Sequence, residues 1–99
     1  MLEKIKNLVA SELERARSIH TDKTHSPHEG YAVALEEFEE LKDEIEFMES
    51  RMKLLWDAVK KDEYSKQIFH LEAMLERTDN MIYEAVQFAA MLKKMRQDI

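Results

Sequence analysis

From Tyr31 to Val59 the chain holds one helical phase without a break. Tyr31, Ala34, Leu35, Phe38, Leu41, Ile45, Met48, Met52, Leu55, Trp56 and Val59 recur at steps of three, four and one, the spacing of one helix face. No glycine or proline interrupts the run, so it cannot be cut into strands and predicts one long helix. The only proline and the only glycine, Pro27 and Gly30, lie just ahead of it. Ser26 reads as the N-cap and Pro27 as the first helical residue, and Ser26 with Glu29 forms a capping box that satisfies two orphan amides. Helix two therefore runs from Pro27 to about Lys60. Gly30 inside it costs roughly 1 kcal/mol against alanine, which suggests a close approach of another backbone or a ligand.

Residues 2–19 carry Leu2, Ile5, Leu8, Val9, Leu13, Ala16 and Ile19 in helical phase and predict a first helix, ended by the polar stretch "HTDKTHS". A second polar stretch, "KKDEYSK", has neither glycine nor proline, which leaves the next boundary open. Helix three then takes up Ile68, Leu71, Leu75, Met81, Ile82, Ala85, Val86, Ala89, Leu92 and Met95. The expected fold is all-α, one domain over residues 1–99: an antiparallel bundle of two long helices with a shorter N-terminal helix on it. The apolar arcs of helices two and three, with Trp56, Phe69 and Phe88 among them, exceed what one chain covers. Self-association into a homodimer or homotetramer is expected.

The 99 residues are 44% apolar and 36% charged, with no cysteine. That excludes disulfides, thiolate metal sites and a cysteine nucleophile. No apolar run reaches the roughly 20 residues of a membrane span, and the N-terminus has charges on every turn, unlike a signal peptide. A cytoplasmic protein without a membrane partner is expected. The net charge of −6 argues against nucleic-acid binding, which needs a basic footprint. It leaves a nucleotide ligand open, because a divalent cation held by carboxylates reverses the local sign.

With Phe38 at zero and about 100° per residue, Tyr31, Leu35, Leu41 and Ile45 fall within about 60° and define the predicted buried face. Glu37, Glu44 and Glu40 then lie at about −100°, −120° and −160°, an acidic stripe at its edge, with Glu36 turned a little further away. On helix three, Ile82, Ala89, Met81 and Leu92 group about Ala85, while Glu84, Asn80 and Gln87 lie at about −100°, −140° and −160°. Antiparallel pairing would set the two polar stripes across a groove. Like charges held close raise one another's pKa values unless a cation intervenes. Glutamates at these spacings suit a hard ion, Mg²⁺ or in its place Mn²⁺; the same stripe is also what a solvated helix face looks like.

Arg51 and Arg77 fall in phase with the stripes and can meet phosphates or pair with nearby glutamates. His20, His25 and His28 read as polar turn residues rather than a zinc site, with His28 the nearest to a ligand. His70 reads as helix surface, Trp56 as core or interface, and the seven methionines as adaptable packing. There is no nucleophile motif, glycine-rich phosphate loop or Ser/His/Asp pattern.

"HEGYAVALEEFEELKDEIE", followed by "EAVQFAAM", resembles the MazG-like all-α nucleotide pyrophosphohydrolases, in particular the short single-domain versions of bacteriophage and prophage genomes. The likeness covers residues 25–47 and 80–92, about a third of the chain. The family pattern is E-E-x-x-E on one helix and E-x-x-D on the next. The first is complete in Glu36, Glu37 and Glu40; the second has Glu84, with Gln87 where aspartate is expected. The resemblance implies Glu37, Glu40, Glu84 and Gln87 as Mg²⁺ ligands and Glu36 or Glu44 as the base that activates water. It implies cleavage of a nucleoside triphosphate to monophosphate and pyrophosphate, in a dimer or tetramer. His28, Arg51, Arg77 and Asn80 are candidate ligand contacts. Gln87 removes one negative charge, so a relative that captures a nucleotide, such as a signalling nucleotide of host defence, without cleaving it is the alternative. A purely structural helical oligomer is the third.

Overall fold

The structure, a computed structural model, describes residues 2–19 and 26–99. It consists of α1 (Leu2–Ile19), α2 (Pro27–Lys60) and α3 (Tyr64–Asp98), with no strand among the described residues. The molecule measures 55 × 27 × 20 Å. His20 and His25, read as turn residues, lie outside the described residues.

α2 begins as its sequence predicts. Ser26 is extended, its hydroxyl accepts the Glu29 N–H at 3.2 Å, and Pro27 follows in the first turn. α3 begins at Tyr64, a turn ahead of Ile68 where the apolar period resumes. The reversal between α2 and α3 explains the difference. Asp62 takes the left-handed conformation, with φ of 55°. Glu63 N–H donates to the Ala58 carbonyl at 2.9 Å and Asp62 N–H to Val59 at 3.1 Å, the paired bonds of a Schellman motif. Glycine usually fills that position, and the short polar side chain of aspartate tolerates it. A tight turn is thus hidden in a stretch without glycine.

α2 and α3 pack antiparallel along a seven-residue pattern. On α2, Gly30, Ala34, Glu37, Leu41, Glu44, Met48, Arg51, Leu55 and Ala58 are the buried or half-buried residues at alternating steps of four and three. This is the 3.5-residue period of a coiled-coil seam. Gly30, Ala34 and Ala58 are small enough for α3 to come close, which accounts for the glycine. α1 packs on α3 and makes no comparable contact with α2. It runs parallel to α3: Arg17 reaches Asp98 at 2.9 Å and Gln97 at 3.0 Å, while Leu8 and Glu12 lie near Ile82 and Val86.

The buried face of α2 is not the predicted one. Tyr31, Phe38 and Ile45 are 62%, 45% and 50% exposed, and the seam lies roughly 100° around the helix from them, on the side of Glu37 and Glu44. The cause is the choice of small residues: the helices approach where side chains are short, and the bulky apolar face is left outward. Leu41 belongs to the seam, as expected. On α3 the expected core is likewise divided, with Ile82 and Leu92 52% and 47% exposed and Met81 half-buried.

Among the described residues no large side chain is fully buried. The accessible surface of 7556 Å² exceeds by roughly 1,600 Å² the ~5,900 Å² typical of a folded monomer of this mass. The N-terminal half of α3 and the C-terminal half of α2 form a bare hairpin that carries Met52, Trp56, Ile68, Phe69 and Leu75, each more than half exposed. Ala90, with no exposed surface, shares the α1-facing side of α3 with Val86. Enlarging it to leucine should overpack that contact and cost about 1–3 kcal/mol. Urea unfolding of Ala90→Leu beside the parent chain measures this.

Candidate carboxylate site

The seam of α3 mirrors that of α2, and its seventh-residue positions are polar too: His70, Arg77 and Glu84. Antiparallel pairing sets each opposite a polar residue of α2. Arg51 Nη1 lies 3.1 Å from His70 Nδ1, its guanidinium between the Phe47 and Phe69 rings at 5.2 and 5.5 Å. One layer on, Arg77 donates to both Glu44 carboxylate oxygens at 3.0 Å and lies over Phe47 at 4.3 Å. Those two layers are complementary. In the next, Glu37 faces Glu84, and Glu40 joins them from the following turn of α2.

Glu37, Glu40 and Glu84 each offer one oxygen to a cluster in which all three atoms lie within 4.8 Å of one another. The Oε2 atoms of Glu37 and Glu84 are shut off from solvent and have no hydrogen-bond partner. Two unit charges at that separation repel by about 3 kcal/mol in a protein-like medium and about 1 in open water. Burial foremost, then the Glu40 carboxylate and the charges of Glu37 and Glu44, push Glu84 up to about 7. Glu37 is also raised, first by burial and then by Glu40, Glu36 and Glu12. The arrangement needs a shared proton or a cation. Its donors are hard oxygens, and one face is open through the exposed Glu40, so a divalent ion such as Mg²⁺ fits while keeping waters of its own.

The other candidates fall in different places. Glu36 is exposed beside Glu37 and contributes to its raised pKa. Glu44, one of the two candidate bases, is engaged by Arg77. Arg77 is therefore held one layer away rather than turned to the cluster. Arg51 is roughly 20 Å along α2 from Glu37, at 1.5 Å per residue. His28 is exposed in the first turn of α2, roughly 13 Å from Glu37 on the same scale. Asn80 is exposed. Gln87 lies against Glu12 of α1 and helps to keep it ionised, after the larger effect of Arg15.

Glu12 is a further charged residue of this region, outside the candidates that the sequence pattern marks. It is 8% exposed, the only buried charged residue among those described, and Arg15 binds its carboxylate through Nε and Nη2. A signal existed: Glu12 falls in phase with Ile5, Leu8 and Ala16, where an apolar residue is expected.

No helix among the described residues is long and apolar enough to cross a membrane. No family model, curated protein or solved structure matches the chain.

A raised carboxyl pKa makes the folded state bind more protons than the unfolded chain between pH 4.5 and about 7, so stability falls as pH rises through that window. The lowered pKa of Glu12 works below the window and does not offset it. In chelator, the thermal midpoint should drop from pH 5.5 to pH 8. Glu84→Gln should flatten that dependence and be the more stable protein at pH 8. Thermal scans at the two pH values decide.

Proposed function

We propose that this protein is a Mg²⁺-dependent, MazG-like nucleotide pyrophosphohydrolase that acts on nucleoside triphosphates. The observation carrying the proposal is the like-charged layer, in which two buried carboxylate oxygens have no partner and a third carboxylate lies within 4.8 Å. The sequence resemblance names these same three residues, together with Gln87. Cytoplasmic placement belongs to this reading on composition, and a phage or prophage origin on the resemblance.

In this mechanism Glu37, Glu40 and Glu84 hold the ion. When bound, Mg²⁺ supplies charge neutralisation for the phosphates and lowers the pKa of a coordinated water. Glu37 and Glu84 are fixed by the seam and so pre-set two ligands, while Glu40 closes the set from the open side. With Glu44 tied to Arg77, Glu36 is the carboxylate left to accept the proton of the attacking water. Arg77 stays with Glu44 and limits the spread of negative charge down the seam.

The proposed active form is a homo-oligomer, a dimer or a pair of dimers. Its support is the surplus surface. Burying roughly 1,600 Å² per chain gives a total in the range of about 2,000–5,000 Å² typical of obligate interfaces. Tyr31 and Ile45, with the half-exposed Phe38 whose ring also meets Phe88 at 5.5 Å, form an apolar strip suited to it. Sedimentation equilibrium should return a multiple of the chain mass, and a one-chain mass at micromolar concentration would overturn this part.

One observation favours a second reading. Gln87 is neutral and turned to Glu12, so the chain has one acid fewer on α3 than the family pattern and could hold a nucleotide without cleaving it. The same assay separates the two. Incubated with nucleoside triphosphates and Mg²⁺, the protein should release pyrophosphate, and Glu40→Gln should reduce the rate by about a hundred-fold or more, the several kcal/mol of a lost metal ligand. Tight binding with the nucleotide recovered intact would support capture. No thermal shift with any nucleotide or divalent ion would sink both and leave a structural helical oligomer.

A further inference from the structure

Beside the seam, each long helix carries a second seven-residue pattern that the described residues leave open. On α2, Tyr31, Phe38, Ile45, Met52 and Val59 stand seven apart, and all are exposed. On α3, Ile68, Leu71, Leu75, Thr78, Ile82 and Ala85 follow one another at steps of three and four, exposed except at Thr78. The hydroxyl of Thr78 is satisfied within its own helix, donating to the Met74 carbonyl at 2.7 Å. Each pattern lies one residue past a seam position, Ile45 after Glu44 and Thr78 after Arg77, so about 100° round its helix. Right-handed helices that run in opposite directions turn in opposite senses about a common axis. Both patterns therefore face the same side of the hairpin. α1 leaves that side open, because it packs on α3 rather than α2 and does so around Val86. Val86, two residues past Glu84, is about 200° from the seam.

The α2 stripe has matching halves about Ile45. Between the residues seven apart stand Leu35, Lys42, Glu49 and Trp56, the alternate positions of the same heptad. Counted outward from Ile45, the first step meets Lys42 in one direction and Glu49 in the other. The next three meet Phe38 and Met52, then Leu35 and Trp56, then Tyr31 and Val59. Only the first pair is charged, and its charges are opposite. From this register we infer that the face docks a second copy of this chain, α2 antiparallel to α2 about a two-fold axis at Ile45, with each Lys42 against Glu49 of the second copy. A two-fold pairing uses one patch twice, so it requires the halves to match; a foreign partner imposes no such demand. Glu49 is available for the contact, since it meets Lys53 of its own helix at 3.8 Å with both side chains well exposed, an ion pair of little worth. The seam sets Glu44 level with Arg77, so the same axis passes α3 between Leu75 and Thr78. It pairs the α3 stripe with itself, Leu71 toward Ile82 of the second copy. The surplus surface of roughly 1,600 Å² per chain is enough for an interface of this kind. The pairing rests on the assembly part of the proposed function and not on the cation site. Glu40, one residue before Leu41, faces the other side of the hairpin, so the carboxylate cluster stays open in the dimer.

The test is charge exchange in the full chain, read by sedimentation equilibrium at low ionic strength. Lys42→Glu and Glu49→Lys each set like charges together twice per dimer and should weaken association by about ten-fold or more. An equimolar mixture of the two variants sets every charge opposite its complement again and should recover the parent affinity. Damage to the fold of either variant would not be repaired in that way. Ile45→Cys gives the chain its only cysteine, and mild oxidation should link two copies at the axis, where the paired backbones come within disulfide reach. Asp43→Cys, roughly 200° round α2 from Ile45, should stay a single chain. Single variants that associate as the parent does, a mixture no tighter than its parts, or Ile45→Cys left unlinked by oxidation each overturn the proposal. If the parent still has a multi-chain mass, assembly uses another face. A parent of one-chain mass at micromolar concentration ends both readings and leaves this face to a foreign partner.

Discussion

The repulsion between Glu37 and Glu84 is the constraint around which this molecule is organised. It arises because the α2–α3 seam alternates apolar layers, such as Leu41 and Met48, with layers filled by every seventh residue. Two of those layers are self-consistent. Arg77 grips Glu44 with two 3.0 Å bonds, and Arg51 lies against His70 between two phenyl rings. The third repeats the geometry with two acids. A fold optimised for stability alone would place a cation or a hydrocarbon there, since well-packed apolar residues commonly match or exceed a buried ion pair. Retaining an acid on both sides stores electrostatic strain that a proton or a divalent ion relieves.

Around that layer the structure is graded. Glu44 belongs to the adjoining pair and also helps to raise Glu84, so its bidentate partner Arg77 keeps the like charge from growing. On the other side Glu12 and Arg15 form a pair that is buried at one end and open at the other. The carboxylates thus sit between two arginines, each already satisfied by a glutamate outside the cluster. This makes the cluster electrostatically distinct from the acidic surface around it, even though its side chains are only partly enclosed.

The distal hairpin has a different balance. Without α1 over it, α2 and α3 have one narrow seam there, and their remaining apolar residues face outward. Chain entropy of roughly 1–2 kcal/mol per residue opposes ordering, and a two-helix layer has little hydrophobic burial to set against it. The turn at Asp62 and the cation–aromatic stack of Arg51 hold the hairpin's register. An additional apolar surface is what the outward Trp56, Phe69 and Leu75 lack. The carboxylate layer and the outward apolar surface share one cause: the small residues that admit α3 against the acidic side of α2 displace the large ones to the outside.

Much of this was legible in the sequence, and the rest was not for identifiable reasons. Local rules set the start of α2, where Ser26, Pro27 and the long uninterrupted phase leave no alternative, and helical phase alone gathered Glu37, Glu40 and Glu84 on matching edges of two rods. The turn in "KKDEYSK" was legible but its boundary was not, because Asp62 takes the left-handed position that a glycine usually marks. Which side of α2 meets α3 could not be read from hydrophobicity, because closeness of approach at Gly30, Ala34 and Ala58 outweighed the bulk of Tyr31, Phe38 and Ile45. The place of Glu12 was decided by the tertiary structure alone. Sequence spacing relates residues on one helix, whereas the distance from α1 to the carboxylate layer depends on how α1 lies along α3, and only packing fixes that.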